Sequence, residues 1–452
     1  MNAAVDLAVR GRRVLVDGRL GAATVLVHDG IIVDVVERDA AVRAARMVDA
    51  DIVSPGFLDI HVHFDNPAID LSEDFYTGTV NSALGGHTFV AEHPFSTPPT
   101  TTAARYRAKR DAAGAGTVID FGLWGGLTGP TLDEIPGQRE LGAGGFKAFL
   151  PENDMDYPAA TEDDLRVAFH LTSTSSVVLV HAEDHDGILA GVAAERAAGR
   201  TDYAAVLAAR PPRLEVDAVR RVLEVAEREH GAVHFVHLSA PEAVDLVTAA
   251  RDRGVPATCE VAAHHLLLDD ADLLRLGWPA LCAPPLRARA LVEGMWDRLA
   301  RGEVATVVSD HCPYSSEDKT SADADALDGP FGIQSAREHA SLFLSAAVAR
   351  GWDLADALAL LTARPADLFG LAPAKGRIAA GADADLVVLG ERPWTIDPAG
   401  QFGPDRWSPY AGWTSTYAVE HVFARGAAVV SDGRFVGRRG AGAFVPMSGA
   451  AR

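Results

Sequence analysis

The 452-residue sequence predicts an α/β fold, a (β/α)8 TIM barrel flanked by a β-sandwich built from both chain ends. Three observations predict it. The length exceeds what one small core needs and suits either two domains or one large barrel with an accessory module. From Pro55 to about residue 374, brief β-rich runs alternate with longer Ala- and Arg-rich stretches of helical period. Before and after that region, short apolar runs are separated by Gly-containing turns, the pattern of small antiparallel sheets.

Composition narrows the function classes. Hydrophobic residues at 48% and charged residues at 23% are ordinary globular values and exclude disordered, collagen-like and coiled-coil chains. Lys and Arg number 41 against 62 Asp and Glu, a net charge of −21, so no nucleic-acid partner is expected. No stretch approaches the ~18 consecutive apolar residues of a spanning helix, and Met1 to Arg13 hold no apolar leader core, so no membrane partner is expected. Three scattered cysteines, Cys259, Cys282 and Cys312, do not make a disulfide framework. A cytoplasmic protein is the expectation.

Residues 1–54 are expected to form the first part of the sandwich, with runs at Arg13–Val16, Thr24–Val27 and Ile31–Val36 and hairpin turns at Asp17-Gly18 and Asp29-Gly30. Residues 55–374 form the barrel, with strands ending near His63, His93, Phe121, Leu150, His181, Leu238, Val261 and His311. Helices are expected at Thr101–Ala113, Asp163–Leu171, Leu214–His230, Pro241–Arg253, Arg289–Arg301 and Gly332–Arg350, with the mixed charge and Ala/Leu stripes of an outer ring. Residues 375–452 return to β character at Gly376–Ile378, Ala384–Leu389, His421–Ala424 and Ala428–Val430, with a turn at Asp432-Gly433.

Polar residues fall at the strand exits, where a barrel of this kind places its active site. His61 and His63 follow the run Phe57–Ile60 at a spacing of two, which puts both imidazoles on one face. Lys147 stands in Gly145-Phe146-Lys147-Ala148-Phe149, among residues that favour burial. His181, His237 and Asp310 each end an apolar run. A single buried histidine is usually only a packed core residue. Four histidines and one aspartate at four strand ends instead suit zinc or a neighbouring divalent ion, and are enough for two. A lysine ammonium cannot ligate a cation and would have to carry CO2 as a carbamate.

This constellation resembles the amidohydrolase superfamily, in particular the cyclic amidases: allantoinase, hydantoinase, dihydropyrimidinase and dihydroorotase. The resemblance runs through Pro55–Phe64, Glu73–Thr79, the lysine strand, Val308–His311 and Gly381–Val387. It implies that His61, His63 and Asp310 hold one metal, His181 and His237 the other, and carbamylated Lys147 bridges both. The ions would be zinc, with Mn, Co or Fe as alternatives. It also implies that Asp310 is the general base, passing a proton from the attacking water to the ring nitrogen as the C–N bond breaks. His311 and His234 are candidates to orient the ligands, or simply to pack. A homodimer or homotetramer with a small cyclic amide as substrate is implied as well.

Within the group, Asp120–Leu127, Ala209–Pro212, Val308–Tyr314 with Glu317–Lys319, and Phe331–Gln334 look most like allantoinases. Cys259–Leu266 is closer to dihydroorotases, in which a histidine at this place helps hold the substrate carboxylate. Dihydroorotases carry an Arg after the His pair, where this chain has Phe64-Asp65, and an Asp there reverses the local charge. Hydantoinases and dihydropyrimidinases place a Tyr three residues after the lysine, where this chain has Leu150, so Tyr157 is the candidate phenol. Asp65, Asn66 and His93 are candidates to meet a ureido group, although Asp65 also suits a turn cap. Trp124, His265, Cys282, Pro284 and Gln334 complete the expected substrate contacts. His87, His93 and Ala262-Ala263 depart from the family wording.

Ring opening of allantoin or a related hydantoin is the expected reaction, with hydantoinase, dihydropyrimidinase or dihydroorotase activity as the alternative. A scaffold that has lost its metals would need gaps among the six ligand positions, and a mononuclear deaminase would not need Lys147. Trp394, Trp407, Tyr410 and Trp413 either reach across a subunit interface or pack onto their own barrel. Cys312 is expected to line the pocket rather than attack the substrate.

Overall fold

The computed structural model describes residues 5–64, 73–152, 157–172 and 176–449. Four strands open the chain: β1 (Val5–Val16), β2 (Arg19–His28), β3 (Ile31–Glu37) and β4 (Ala44–Pro55). The barrel wall follows as β5 (Phe57–Val62), β6 (His87–Glu92), β7 (Asp120–Leu123), β8 (Gly125–Gly126), β9 (Gly145–Phe149), β10 (Val177–His181), β11 (Val233–Phe235), β12 (Ala257–Ala262) and β13 (Thr306–Val308). Near the other end stand β14 (Leu386–Thr395), β15 (Thr414–Ala424), β16 (Ala427–Ser431) and β17 (Arg434–Phe435).

Neighbouring barrel strands are parallel throughout. β7 and β8 are separated only by Trp124 and act as one broken strand, so the wall counts eight. It closes where His311 bridges Val62 in parallel and the His63 amide donates to the His311 carbonyl at 2.8 Å. The strands are buried on both faces, which is why they read as unbroken apolar runs rather than as alternations. Helices pack outside. The longest, Pro212–Glu229, presents Leu214, Val219, Val222 and Leu223 to the wall.

The two chain ends join in one eight-stranded sheet, ordered β17-β16-β15-β14-β4-β1-β2-β3. It folds over a core of its own, which includes Val9, Val25, Ile32, Val53, Leu386 and Phe423, and its free edge at Ile31 pairs with Asp383. The Asp-Gly turns have positive φ at both central residues: 47° and 73° at Asp17-Gly18, 49° and 78° at Asp29-Gly30, 52° and 70° at Asp432-Gly433. That is the geometry a two-residue hairpin loop requires. Arg425-Gly426 makes a fourth such turn, at 45° and 74°, which the sequence pattern did not signal.

Two expected elements differ. Residues 332–338 are not helical, and the helix begins at His339. Ile333 bridges His311 instead, and the Ser335 and Ala336 amides both donate to His311 Nδ1, so side-chain and strand bonding consume the first turn. Gly376–Ile378 is a bend rather than a strand, directly after the buried Lys375. Among the described residues no helix is long and apolar enough to cross a membrane.

Lys375 joins barrel and sheet. Its buried ammonium donates to Asp120 at 2.8 Å, Asp383 at 2.9 Å and Asp385 at 2.7 Å, and Arg425 also pairs with Asp120. Removing the ammonium strands buried carboxylates, which costs about 3–5 kcal/mol. Lys375→Met is therefore expected to lower the unfolding free energy by about that much in urea titration. An unchanged midpoint would mean that the joint rests on apolar packing alone.

Candidate active site

His61 and His63 leave the end of β5, and His61 is held from behind. Its Nδ1 lies 2.5 Å from Glu260 Oε1 at the end of β12, which turns Nε2 toward Asp310 Oδ1 at 3.2 Å. His63 Nε2 is 3.7 Å from the same oxygen. Glu260 also bonds His234 Nε2 at 3.1 Å, and His234 Nδ1 is engaged by Thr258 at 2.8 Å. His234 thus orients Glu260, and Glu260 orients His61, the second layer that metal-ligating imidazoles need.

His181 at the end of β10 is held in the same way. Its Nε2 meets Glu183 Oε2 at 2.8 Å, and Arg210 grips both oxygens of Glu183 at 3.2 and 2.5 Å. Burial works to raise the Glu183 carboxyl, but Arg210 and His181 outweigh it and hold the group ionised. With Nε2 engaged, Nδ1 is the nitrogen left to His181 for a ligand. The His237 ring stands 4.6 Å from that of His181 and 5.3 Å from that of His61. His237 and Asp310 have φ of 38° and 48°, a left-handed conformation rare for side-chain-bearing residues and characteristic of strained functional positions.

Lys147 lies on β9, fully buried, its ammonium 4.8 Å from the Phe149 ring centroid. Among the described residues its Nζ has no hydrogen-bond partner, nor have His61 Nε2 and His237 Nδ1. Burial pushes the lysine down to about 8 and Asp310 up to about 7. It also drives His61, His63 and His237 well below the ordinary imidazole range, so their nitrogens are free as ligands. Partnerless nitrogens, a carboxylate and an easily deprotonated amine form a donor set that fits divalent ions.

His63, Lys147, His181, His237 and Asp310 line one cavity of about 1120 Å³. The other expected contacts fall in several places. Cys282 and Cys312 line the cavity, with Cys312 as expected of a wall residue; burial raises both thiols to about 12, against nucleophilic attack. His93 stacks on His61 at 3.8 Å, and neither of its ring nitrogens has a partner among the described residues. Trp124 is wholly buried below the mouth, its indole donating to Ile60 O at 2.9 Å. His265 bonds the Pro284 carbonyl at 3.0 Å. Gln334 turns away to Gln401 at 2.9 Å, and the wall is made instead by its neighbours Phe331 and Gly332. Tyr157 spends its hydroxyl on Lys147 O at 2.5 Å and the Leu127 amide at 3.0 Å, whereas Tyr314 lines the cavity. Asp65 and Asn66 lie outside the described residues.

His311 is tied elsewhere, its Nε2 to Glu73 at 2.7 Å. Trp407 donates to Tyr314 O at 3.1 Å and Tyr410 is wholly buried, so this part of the aromatic stretch packs onto its own chain. The sequence pattern does not single out Glu260 or Glu183, although Glu260 lies in β12 and Glu183 stands two residues after His181. Nor does it give Lys319 a role: its buried ammonium donates to the carbonyls of Leu281, Pro330 and Gly332 at 2.8–2.9 Å and clamps the cavity loop.

Comparison with known proteins agrees with this geometry. Residues 52–429 match the model of the amidohydrolase family. The chain is 37% identical to an allantoinase of Deinococcus radiodurans over 96% of its own length and 97% of the relative's. It is 35% identical to an allantoinase of Streptomyces avermitilis over 96% and 98%, and 30% identical to an L-hydantoinase of Paenarthrobacter aurescens over 97% and 98%. The solved L-hydantoinase (dihydropyrimidinase) from Arthrobacter aurescens superposes with a TM-score of 0.93 at 29% identity, covering 98% of this chain and all of that one. A barrel with its metal-type residues at the strand exits, matched by relatives along its whole length, belongs to the amidohydrolase family.

Proposed function

We propose that the chain is a metal-dependent hydrolase that opens the ring of allantoin or a related hydantoin at an amide C–N bond. The observation that carries this reading is the convergence of His61, His63, His181, His237 and Asp310 around a buried Lys147 whose amine has no partner among the described residues. His61, His63 and Asp310 would hold one divalent ion, His181 and His237 a second, and Lys147, carbamylated by CO2, would bridge them. A lysine eased toward its neutral form by burial is the form that reacts with CO2, which supports the assignment. Bound ions of the zinc class supply Lewis acidity toward the substrate carbonyl and hydroxide near neutral pH.

The chain's own residues do the rest. Asp310, buried beside the imidazoles, takes the proton of the attacking water on its carboxylate and returns it to the ring nitrogen, so that this nitrogen leaves the carbonyl as the neutral NH2 of a ureido group and the carbonyl becomes a carboxyl. Glu260 and Glu183 keep His61 and His181 in one orientation throughout. Phe331 and Gly332, clamped by Lys319, form the wall against which the ring lies. The family resemblance extends the reading to a homodimer or homotetramer.

The cavity supports a second reading of the ring substituent. Phe95, Phe149, Ile188, Val192 and Phe331 contribute apolar surface to the cavity, which suits a hydantoin with a hydrocarbon group at carbon 5 better than the polar ureido group of allantoin.

Turnover by the metal-loaded protein of allantoin, 5-substituted hydantoins, dihydrouracil and dihydroorotate, compared in parallel, tests the proposal. Allantoin is expected to be opened fastest. Preference for a 5-alkyl or 5-aryl hydantoin would favour the second reading, and silence on every ring with metal bound would overturn both. Lys147→Ala is expected to lose metal and activity together; a fully active variant would remove the lysine from the site. Asp310→Asn should reduce kcat by about 10²–10⁴-fold, the range general acid–base groups contribute. Unchanged turnover would take Asp310 out of the proton path.

A further inference from the structure

A second set of ligand-type side chains lies apart from the cavity. Asp59 on β5, His87 at the start of β6 and His339 at the start of helix His339–Ala349 bring one carboxylate oxygen and two ring nitrogens within 4.8 Å of one another. Their exposures are 1%, 0% and 0%. The two imidazoles stack with centroids 4.8 Å apart, and His339 Nε2 is 3.9 Å from Asp59 Oδ2.

Hydrogen bonding determines what each group presents to the others. His87 Nδ1 lies 2.9 Å from Ser82 O, and His339 Nδ1 lies 3.3 Å from Ser335 O. A carbonyl only accepts, so each Nδ1 carries the hydrogen. Burial keeps both rings neutral, lowering His87 to about 4 and His339 to about 3, and each Nε2 is therefore a bare lone pair. Asp59 Oδ1 accepts from the amides of His61 at 3.3 Å and Ser309 at 3.2 Å, which leaves Oδ2. Asp59 Oδ2, His87 Nε2 and His339 Nε2 have no hydrogen-bond partner among the described residues. Three lone-pair atoms thus face one another in the buried interior. At 3.9 Å the carboxyl and the His339 nitrogen are too far apart to share a proton directly. Such a cluster is costly unless a positive centre or a donor stands within it. A water offers two hydrogens to three acceptors, whereas one cation satisfies all three.

We propose that Asp59, His87 and His339 form a buried site for one divalent metal ion of the zinc class. One carboxylate oxygen and two imidazole nitrogens suit Zn, Co, Ni or Fe(II). An Nδ1 hydrogen tied to a backbone carbonyl is the usual support of a ligating histidine. The ion links β5, β6 and the helix after the last barrel strand. Through Asp59 it steadies the amides of His61 and Ser309, next to the residues that face the cavity. The site stands independently of the reaction proposed above.

The test is the zinc content, by mass spectrometry, of the full chain purified from zinc-supplemented medium, compared with His87→Gln and His339→Gln. Each variant is expected to hold one equivalent less than the parent. Because Asp59 also holds the His61 amide, the lost equivalent is assigned by a zinc-edge anomalous map of the variant, in which the peak between the three side chains is expected to vanish and those at the barrel mouth to stay; loss from the mouth alone would overturn the proposal. Equal contents in folded variants would overturn the proposal. A zinc-edge anomalous map of the unmutated crystal decides the matter should the variants not fold. A peak between the three side chains is expected, and density without anomalous signal, or none, would overturn it.

Discussion

Behind His61 the carboxylate of Glu260 accepts at Nδ1, and behind His181 the carboxylate of Glu183 accepts at Nε2. Everything at the barrel mouth depends on these buried pairings. An imidazole free to rotate presents either nitrogen in any direction; one bonded to an anchored carboxylate presents a single nitrogen in a single direction. The anchors are themselves held, Glu260 by His234 and Glu183 by both arms of Arg210. The two anchors differ in charge balance: Arg210 and His181 hold the Glu183 carboxyl below the ordinary range, whereas burial raises that of Glu260, whose side-chain partners are imidazoles.

The strand ends take up the remaining constraint. His237 and Asp310 are left-handed where each chain segment leaves the wall, which turns their side chains toward the cavity instead of along the strand. The adjoining loop is fixed just as firmly. Lys319 holds Pro330 and Gly332 by their carbonyls and its ammonium lies 5.7 Å from the Trp407 ring centroid, so one side chain ties the cavity wall to the C-terminal segment.

The joint between barrel and sheet obeys the same rule on a larger scale. Lys375 collects carboxylates from the wall at Asp120 and from the sheet at Asp385, and so locks the two cores in register. Asp59 is a further buried acid, separate from that joint. It holds the His61 amide near the end of its own strand and the Ser309 amide after β13, while its second oxygen faces two imidazoles.

The sequence alone determined the wall, the hairpins and the residues at the strand exits. Apolar runs of strand length, Asp-Gly pairs and a polar residue at the end of each run are local signals, legible because period, turn conformation and burial are properties of a few neighbouring residues. The expected helix Gly332–Arg350 forms only from His339 because His311, more than twenty residues earlier, takes the Ser335 and Ala336 amides. Local propensity contains no term for such a partner. For the same reason the fold alone decided that Trp124 lies below the mouth and Gln334 points to Gln401, while Phe331 and Tyr314 make the wall. It alone decided too that Glu260 stands behind His61, and that His87 meets His339 across some 250 residues of chain. Which side chains touch is set by how strands and helices from distant segments pack, and no spacing within one segment encodes that distance.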